Sequence, residues 1–251
     1  MTSIRKLIKE RHSSRYPFNQ RPVARQNLRQ ILEAGRWAPT AHNMQNYEII
    51  VIDDSKLLRT IGSIRTQVSE EFIRENYLQL SSSKEELLRK KVGILNTSFP
   101  PSWRNPSTLD EAVRKAKPEP LRTTIRGSPT ILIVLYDSRR RAPASKRDVL
   151  GIMSLGCVME NMWLMAQSLG ISSHVMSVFS SASVENELRK LLQIPKHMKV
   201  AFGMCLGYPK SRPKRYLRIR RDVEDFTYYN GYRNKMHLEQ GHAHAMPVPD
   251  A

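Results

Sequence analysis

The residues best suited to chemistry stand near the start of the chain. Arg11-His12-Ser13-Ser14-Arg15-Tyr16-Pro17-Phe18 follows a short amphipathic segment and concentrates two guanidinium groups, an imidazole and two hydroxyls in five positions. An arginine presents a planar set of donors that matches a phosphate, and serine hydroxyls can complete such a site. The stretch is therefore a candidate site for an oxyanion. A basic, polar turn after a helix has the same composition, so the stretch alone leaves both interpretations open.

The whole chain carries an excess of positive charge. Among its 251 residues, 41 are Lys or Arg and 23 are Asp or Glu, which gives a formal net charge of +18. Such a field attracts phosphorylated cofactors, nucleic acids or acidic surfaces. A basic nucleic-acid-binding protein is one alternative, supported by the seven Lys or Arg residues between 210 and 221. Against it, the charge is spread along the chain, and no motif combines aromatic and basic residues for single strands, so we expect no specific nucleic-acid partner.

Hydropathy and cysteine content predict a cytoplasmic protein. No unbroken run of about 18 apolar residues is present, so no membrane-spanning helix is expected. The first residues, Met1 to Lys6, lack the apolar centre of a signal peptide. Cys157 and Cys205 both lie in apolar segments, which favours buried thiols in a reducing compartment over a disulfide.

Hydrophobic periodicity predicts an α+β fold with helices and about four strands in irregular order. The strands are predicted at 47–52, 129–136, 173–179 and 199–206, and the clearest helices at 22–36 and 148–169. The run 129–136 is apolar throughout, which is typical of a central strand buried on both faces. The helix over 148–169 is apolar almost all round, so it belongs in the core or at a subunit interface.

We interpret residues 1–232 as one domain that carries an insertion at about 64–126. Within the insertion, two charged helical stretches are predicted at about 67–80 and 84–95, and Thr108 to Glu111 has the spacing of a capping box. The tail, 233–251, contains three histidines and is predicted to be disordered. A metal site is not expected, because a metal requires a geometrically fixed set of ligands.

Four separated segments together resemble the FMN-dependent nitroreductase family. They are Arg11 to Phe18; Ala38-Pro39-Thr40-Ala41-His42-Asn43-Met44-Gln45-Asn46-Tyr47; the end of the long helix at Ala166-Gln167-Ser168-Leu169-Gly170-Ile171; and Val200 to Pro209 with Arg218 to Asp225 after it. Motifs typical of other enzyme classes, including dinucleotide-binding and phosphate-binding glycine loops, metalloprotease histidines and the serine hydrolase elbow, are absent from the sequence.

The resemblance implies a central, mostly antiparallel sheet of about four to five strands flanked by helices, in an intertwined homodimer with FMN at the interface. By position, it implies that Arg11, His12, Ser13 and Arg15 hold the FMN phosphate and ribityl chain. Asn43 and Gln45 would reach the flavin of the partner subunit, and Arg218 and Arg220 would close on the phosphate. Val175, Met176 and Ser177 would line the flavin ring near its reactive nitrogen.

The implied activity is the reduction of small electron-poor aromatics, such as nitroarenes or quinones, by NAD(P)H in a ping-pong cycle. The cofactor then supplies the redox chemistry, which agrees with the lack of a catalytic triad or paired carboxylates. Relatives with the same fold also act as dehydrogenases or reductive dehalogenases, so these remain alternatives.

Two departures from the family pattern bear on the substrate. Asn46-Tyr47 stands where Pro-Trp is usual, and Ser177 stands where many members have an acidic residue. Ser177 is either a hydroxyl donor to the flavin or merely a small strand residue. In the insertion, an aromatic lid over the flavin and aromatics that pack on their own helices are equally compatible with the sequence. The candidate lid residues are Phe72, Tyr77, Phe99 and Trp103.

Overall fold

The computed structural model describes residues 3–211 and 218–234, which form two compact units. The first unit contains residues 3–67 and 117–211, and the second contains residues 68–116 and 218–234. The predicted tail lies outside the described residues apart from its first two positions.

The helices and strands of the described residues are numbered in chain order. The helices are α1 (Ile4–Glu10), α2 (Arg25–Arg36), α3 (Ser55–Ser63), α4 (Glu70–Glu75), α5 (Lys84–Lys90), α6 (Pro106–Lys115), α7 (Arg122–Ile125), α8 (Val149–Ser168), α9 (Ala182–Leu191) and α10 (Val223–Phe226). The strands are β1 (Glu48–Ile52), β2 (Arg65–Thr66), β3 (Ser81–Ser82), β4 (Ile94–Leu95), β5 (Glu119–Pro120), β6 (Thr130–Asp137), β7 (Ser172–Met176) and β8 (Met198–Gly207).

The first unit is built on a four-stranded antiparallel sheet in the order β1-β6-β8-β7. Side chains of β6 alternate between its two faces: Ile131 and Ile133 point to one apolar cluster, and Leu132 and Val134 to the other. All four side chains are fully buried, which explains the continuous apolar run. The predicted α+β class and antiparallel sheet are confirmed.

Helices cover both faces of this sheet. On one face, α3, α7 and α9 contribute Ile61, Ile125 and Leu188 to the core. On the other face, α2 and α8 pack together, and a Cβ added to Gly35 would approach Met162 Cγ to 3.0 Å. The amide of Asn161 in α8 donates to the carbonyl of Ala34 in α2 at 3.1 Å. The missing side chain at position 35 therefore allows the two helices to approach closely.

The long helix α8 has two different halves. Its C-terminal half buries Val158 and Met162, whereas Val149, Ile152 and Met153 in its N-terminal half are 53%, 63% and 61% exposed. By length and composition alone, residues 146–168 qualify as a membrane-spanning segment, unlike the sequence expectation. The two results differ because the sequence expectation required an unbroken apolar run. Polar residues interrupt the run in α8 but lower its mean hydropathy only slightly. The packing of its second half identifies α8 as a core helix of the first unit.

The cysteines agree with the predicted free thiols. Neither Cys157 nor Cys205 forms a disulfide. Cys205 is fully buried, and this burial raises the pKa of its thiol to about 12. Cys157 is half-buried in α8.

Sequence patterns mispredicted four segments. The helix predicted over 84–95 ends at Lys90, and Ile94–Leu95 forms β4. The strand predicted over 173–179 ends at Met176 and continues as a 3-10 turn. The capping box at Thr108 is wrong, because α6 begins at Pro106 and the side chain of Asn105 caps it by accepting from the Ser107 amide at 3.0 Å. The helix predicted over 67–80 comprises α4 followed by a π-helical turn.

The second unit contains an aromatic cluster. The Trp103 ring stacks on Phe99 with centroids 6.2 Å apart and meets Phe72 edge-on at 6.5 Å. These three candidate lid residues therefore pack against one another. Within the same unit, the ammonium of Lys91 pairs with the carboxylate of Asp222 at the start of α10.

Candidate functional site

The basic stretch at residues 11–18 lies against the free edge of β7. Ser13 forms a parallel bridge with Ser173, and the Ser14 amide donates to the Ser173 carbonyl at 2.7 Å. Since β7 contains Val175 and is followed directly by Ser177, two of the sequence-predicted segments meet at this edge. The chain order alone gave no reason to expect this pairing.

The end of the stretch is fixed by Phe18. Its side chain is 3% exposed, and its amide donates to the Arg126 carbonyl at 3.0 Å. A Cβ added to Gly207 would approach Phe18 Cδ1 to 2.9 Å, so glycine is required at that end of β8. The Lys210 amide also donates to the Pro17 carbonyl at 2.9 Å. The stretch is thus an ordered extension of the sheet.

Arg126 is a site residue that the sequence did not indicate. It follows α7 with left-handed backbone angles (φ 54°, ψ 35°), a conformation that costs a non-glycine residue about 1 kcal/mol or more. Its guanidinium donates to the carbonyl of Arg15 across a sequence separation of 111 residues. No local pattern could have revealed a contact over that separation.

The two arginines of the stretch have different surroundings. Arg11 is half-buried: its Nε lies 3.1 Å from Glu160 Oε1, and its guanidinium lies 4.1 Å from the ring centre of Trp163. Arg15 is exposed, and its guanidinium is available to a ligand. Between them, His12 Nδ1 lies 3.0 Å from the Glu10 carbonyl.

Several buried polar atoms around this edge have no hydrogen-bond partner among the described residues. They are the hydroxyls of Ser14 and Ser173, Nδ1 of His174, Nε of Arg126 and Nε1 of Trp163. Ser14 and Ser173 are only 1% and 2% exposed. A buried polar group left unpaired costs about 1–3 kcal/mol, so these atoms fit a site completed by a polar ligand or water.

His174 is held in its neutral form. Burial, together with the positive charges of Arg126 and Arg15, lowers the pKa of its imidazole to about 4. The edge therefore holds two guanidinium charges and an uncharged imidazole at neutral pH. This combination favours an anion over a cation.

The end of β7 can present main-chain atoms as well as side chains to a ligand. Val175 is half-buried, whereas Met176 is 5% exposed and packs in the core, so it can present only main-chain atoms to a ligand. Ser177 is exposed at the first position of the following 3-10 turn, and its carbonyl accepts from the Ser180 hydroxyl at 2.7 Å.

The loop before β1 is strained and anchored. His42, Asn43 and Gln45 all have positive φ near 50°, which is costly without glycine. The side-chain amide of Gln45 donates to Asn43 Oδ1 at 3.1 Å. Asn46 ties the loop to β6 by donating to the Asp137 carbonyl at 3.2 Å. The residue that departs from the family pattern therefore has a structural role, while Asn43 and Gln45 remain exposed.

The other predicted residues lie in the second unit. Arg218 and Arg220 are exposed, and Arg220 Nη1 donates to the neighbouring Ile219 carbonyl at 2.7 Å. Their predicted role at the phosphate remains a prediction. Over residues 3–211 and 218–234, no group of three His, Cys, Asp or Glu side chains is arranged to hold a metal.

The fold and this sequence pattern define a known family. The profile of the nitroreductase family matches residues 8–208. The chain therefore belongs to the nitroreductase family. An NADPH-dependent oxidoreductase from Staphylococcus saprophyticus subsp. saprophyticus is 22% identical over 204 residues. That match covers 81% of this chain and 64% of the relative, so the chain spans less than two thirds of the relative's length.

Solved structures agree with the family assignment at the level of the fold. A nitroreductase from Bacteroides fragilis with bound FMN is 21% identical, with a TM-score of 0.54 over 86% of this chain and 94% of that chain. A nitroreductase family protein from Clostridium difficile is 18% identical, with a TM-score of 0.59 over 92% and 99%. A nitroreductase with bound FMN from Desulfitobacterium hafniense is 19% identical, with a TM-score of 0.55 over 91% and 98%.

The neutral state of His174 predicts a pH-dependent stability. Its folded pKa, about 4, lies below the ordinary value of 6.5, so between these values the unfolded chain binds more protons. Stability should therefore fall as the pH drops from about 6.5 towards 4, by at most about 1.4 kcal/mol per pH unit for one proton. Urea unfolding of flavin-free His174→Asn at several pH values should give a flatter profile than wild type.

The control is His42→Asn. His42 is exposed, and asparagine tolerates the left-handed backbone conformation at this position. If His174→Asn showed the same dependence of unfolding free energy on pH as wild type, the lowered pKa assigned to His174 would be wrong.

Proposed function

We propose that the protein is an FMN-dependent oxidoreductase that uses NAD(P)H to reduce small electron-poor aromatics such as nitroarenes or quinones. The observation that carries this proposal is the edge of β7, where a basic stretch meets buried polar atoms that no group in the described part of the chain hydrogen-bonds, in a nitroreductase fold. The FMN-bound relatives from Bacteroides fragilis and Desulfitobacterium hafniense support the cofactor. The NADPH-dependent relative from Staphylococcus saprophyticus supports the electron donor.

The basic stretch would hold the phosphate end of the cofactor. A phosphate requires several charge-assisted donors, and the exposed guanidinium of Arg15 and that of Arg11 supply them, with His12 and Ser13 on the ribityl chain. Arg11 is prepared for this role because Glu160 and the ring of Trp163 restrict its side chain. The family resemblance also assigns Arg218 and Arg220 to the phosphate.

The end of β7 would border the flavin ring. Val175 offers an apolar wall, Met176 offers main-chain atoms, and Ser177 offers an accessible hydroxyl. FMN held beside these residues would supply the redox chemistry that couples NAD(P)H to the second substrate, and we expect the two substrates to react in turn, in a ping-pong cycle. The chain's own part is to orient the two substrates in turn. The excess of positive charge would favour NADPH and anionic aromatics by attracting them.

The functional unit would be a homodimer formed through α8. Val149, Ile152 and Met153 lie at helical spacing on one apolar face that is more than half exposed. Apolar faces of this kind commonly mark an interface with another chain. A partner placed there would also bring the exposed Asn43 and Gln45 of one subunit towards the flavin of the other.

The activity is tested with purified protein and added FMN. We expect a yellow protein whose flavin absorbance bleaches on addition of NADPH or NADH and recovers when a quinone or nitroarene is added. Protein that stays colourless after incubation with FMN would contradict the proposal. Flavin that binds but is bleached only by a metabolite, and not by NAD(P)H, would indicate a dehydrogenase instead.

Arg11→Ala tests the phosphate role. Loss of a charge-assisted contact should weaken FMN binding at least about tenfold, with activity restored by excess FMN. The measurement is quenching of FMN fluorescence on titration with protein. Arg5→Ala, which removes an exposed arginine of α1, is the matched control. Equal FMN affinity in wild type and Arg11→Ala would remove Arg11 from the site.

Ile152→Lys tests the interface. A charge in the centre of a buried apolar contact should convert the dimer to monomers and lower FMN affinity at the same time. Size-exclusion chromatography with light scattering measures the mass. Val92→Lys, which changes an apolar residue of the second unit with 53% exposure, should leave the dimer intact. A dimer that persists in Ile152→Lys would place the interface elsewhere.

A further inference from the structure

Arg126 is not part of the basic stretch at residues 11–18, but it contacts that stretch. Neither the sequence pattern nor the family resemblance assigns Arg126 a role. Its side chain donates to the Arg15 carbonyl, and its own carbonyl accepts from the Phe18 amide at 3.0 Å. One residue therefore holds both sides of the turn at Tyr16-Pro17. The direction of the Arg15 side chain depends on where this turn is held.

The backbone at Arg126 is unusual for an arginine. It has a left-handed conformation and is followed by Gly127, which also has positive φ. Glycine adopts this conformation without strain, whereas arginine does so at a conformational cost.

The guanidinium of Arg126 also has a further N–H group that can donate a hydrogen bond. Its Nε is buried and has no hydrogen-bond partner within residues 3–211 and 218–234, and the neutral imidazole of His174 lies in the field of Arg126 and Arg15. A guanidinium has five N–H groups, and the Arg15 carbonyl uses one side of it.

We infer that Arg126 is a positioning residue for the phosphate of the cofactor: it fixes the backbone of Arg15 and thereby aims the Arg15 guanidinium at the phosphate. This inference rests on the proposed binding of FMN. A lysine at position 126 can donate to the same carbonyl, so it should preserve part of the effect, whereas glycine cannot.

Arg126→Gly is the informative variant. Glycine removes the side chain but suits the left-handed backbone and keeps the main-chain bond to Phe18, so the flavin-free protein should melt within about 2 °C of wild type. Its dissociation constant for FMN should rise about tenfold, and that for riboflavin, which lacks the phosphate, should change less than about threefold. Arg126→Lys should recover part of the FMN affinity. The control is Arg122→Ala, which removes an exposed arginine of α7.

A double-mutant cycle tests whether Arg126 acts through Arg15. In an Arg15→Ala background no guanidinium remains to be aimed, so adding Arg126→Gly should weaken FMN binding less than about threefold. The inference is wrong if Arg126→Gly binds FMN as wild type does, if FMN and riboflavin lose affinity equally, or if the two substitutions are additive. If wild type itself fails to bind FMN, the proposed function fails instead.

Discussion

The hydrogen bond from the Ser14 amide to the Ser173 carbonyl is the contact on which the candidate site depends. It pairs an irregular N-terminal segment with the edge strand of the sheet, so that the segment becomes as ordered as a strand. An unpaired edge strand exposes donors and acceptors that must be covered. Here the covering segment also carries the guanidinium and hydroxyl groups, so the same contact that protects the sheet assembles the site.

Several polar groups around this edge are held in arrangements that do not stabilise the fold. Ser14 and Ser173 bury hydroxyls that have no partner within residues 3–211 and 218–234, and burial with the charges of Arg126 and Arg15 keeps His174 neutral. Each arrangement costs free energy in the isolated chain. The apolar core on both sides of β6 offsets that cost, since its side chains are fully buried and closely packed. The buried sheet thus supports an edge at which some buried polar groups have no hydrogen-bond partner among the described residues.

The sequence predicted the fold more completely than the site. The strand at β6 and the helix at α8 were located within a residue or two, because long apolar patterns are determined by burial in the core. The left-handed backbone at His42, Asn43 and Gln45 was not predictable, since none of the three is glycine. Arg126 was missed because its contact joins residues 111 positions apart. Local composition predicted candidate anion-binding residues, but only tertiary contacts determine which of them meet.

The pairing of the N-terminal stretch with β7 has a consequence for folding kinetics. Its contacts are non-local, and non-local contacts form late because a long loop must be closed before they contribute stability. The stretch cannot dock until the sheet, α7 and the end of β8 are in place, since each supplies one of its anchors. Partly folded chains should thus contain α8 and the central strands yet lack a cofactor site. Flavin uptake would then report completion of the native state and not merely collapse of the core.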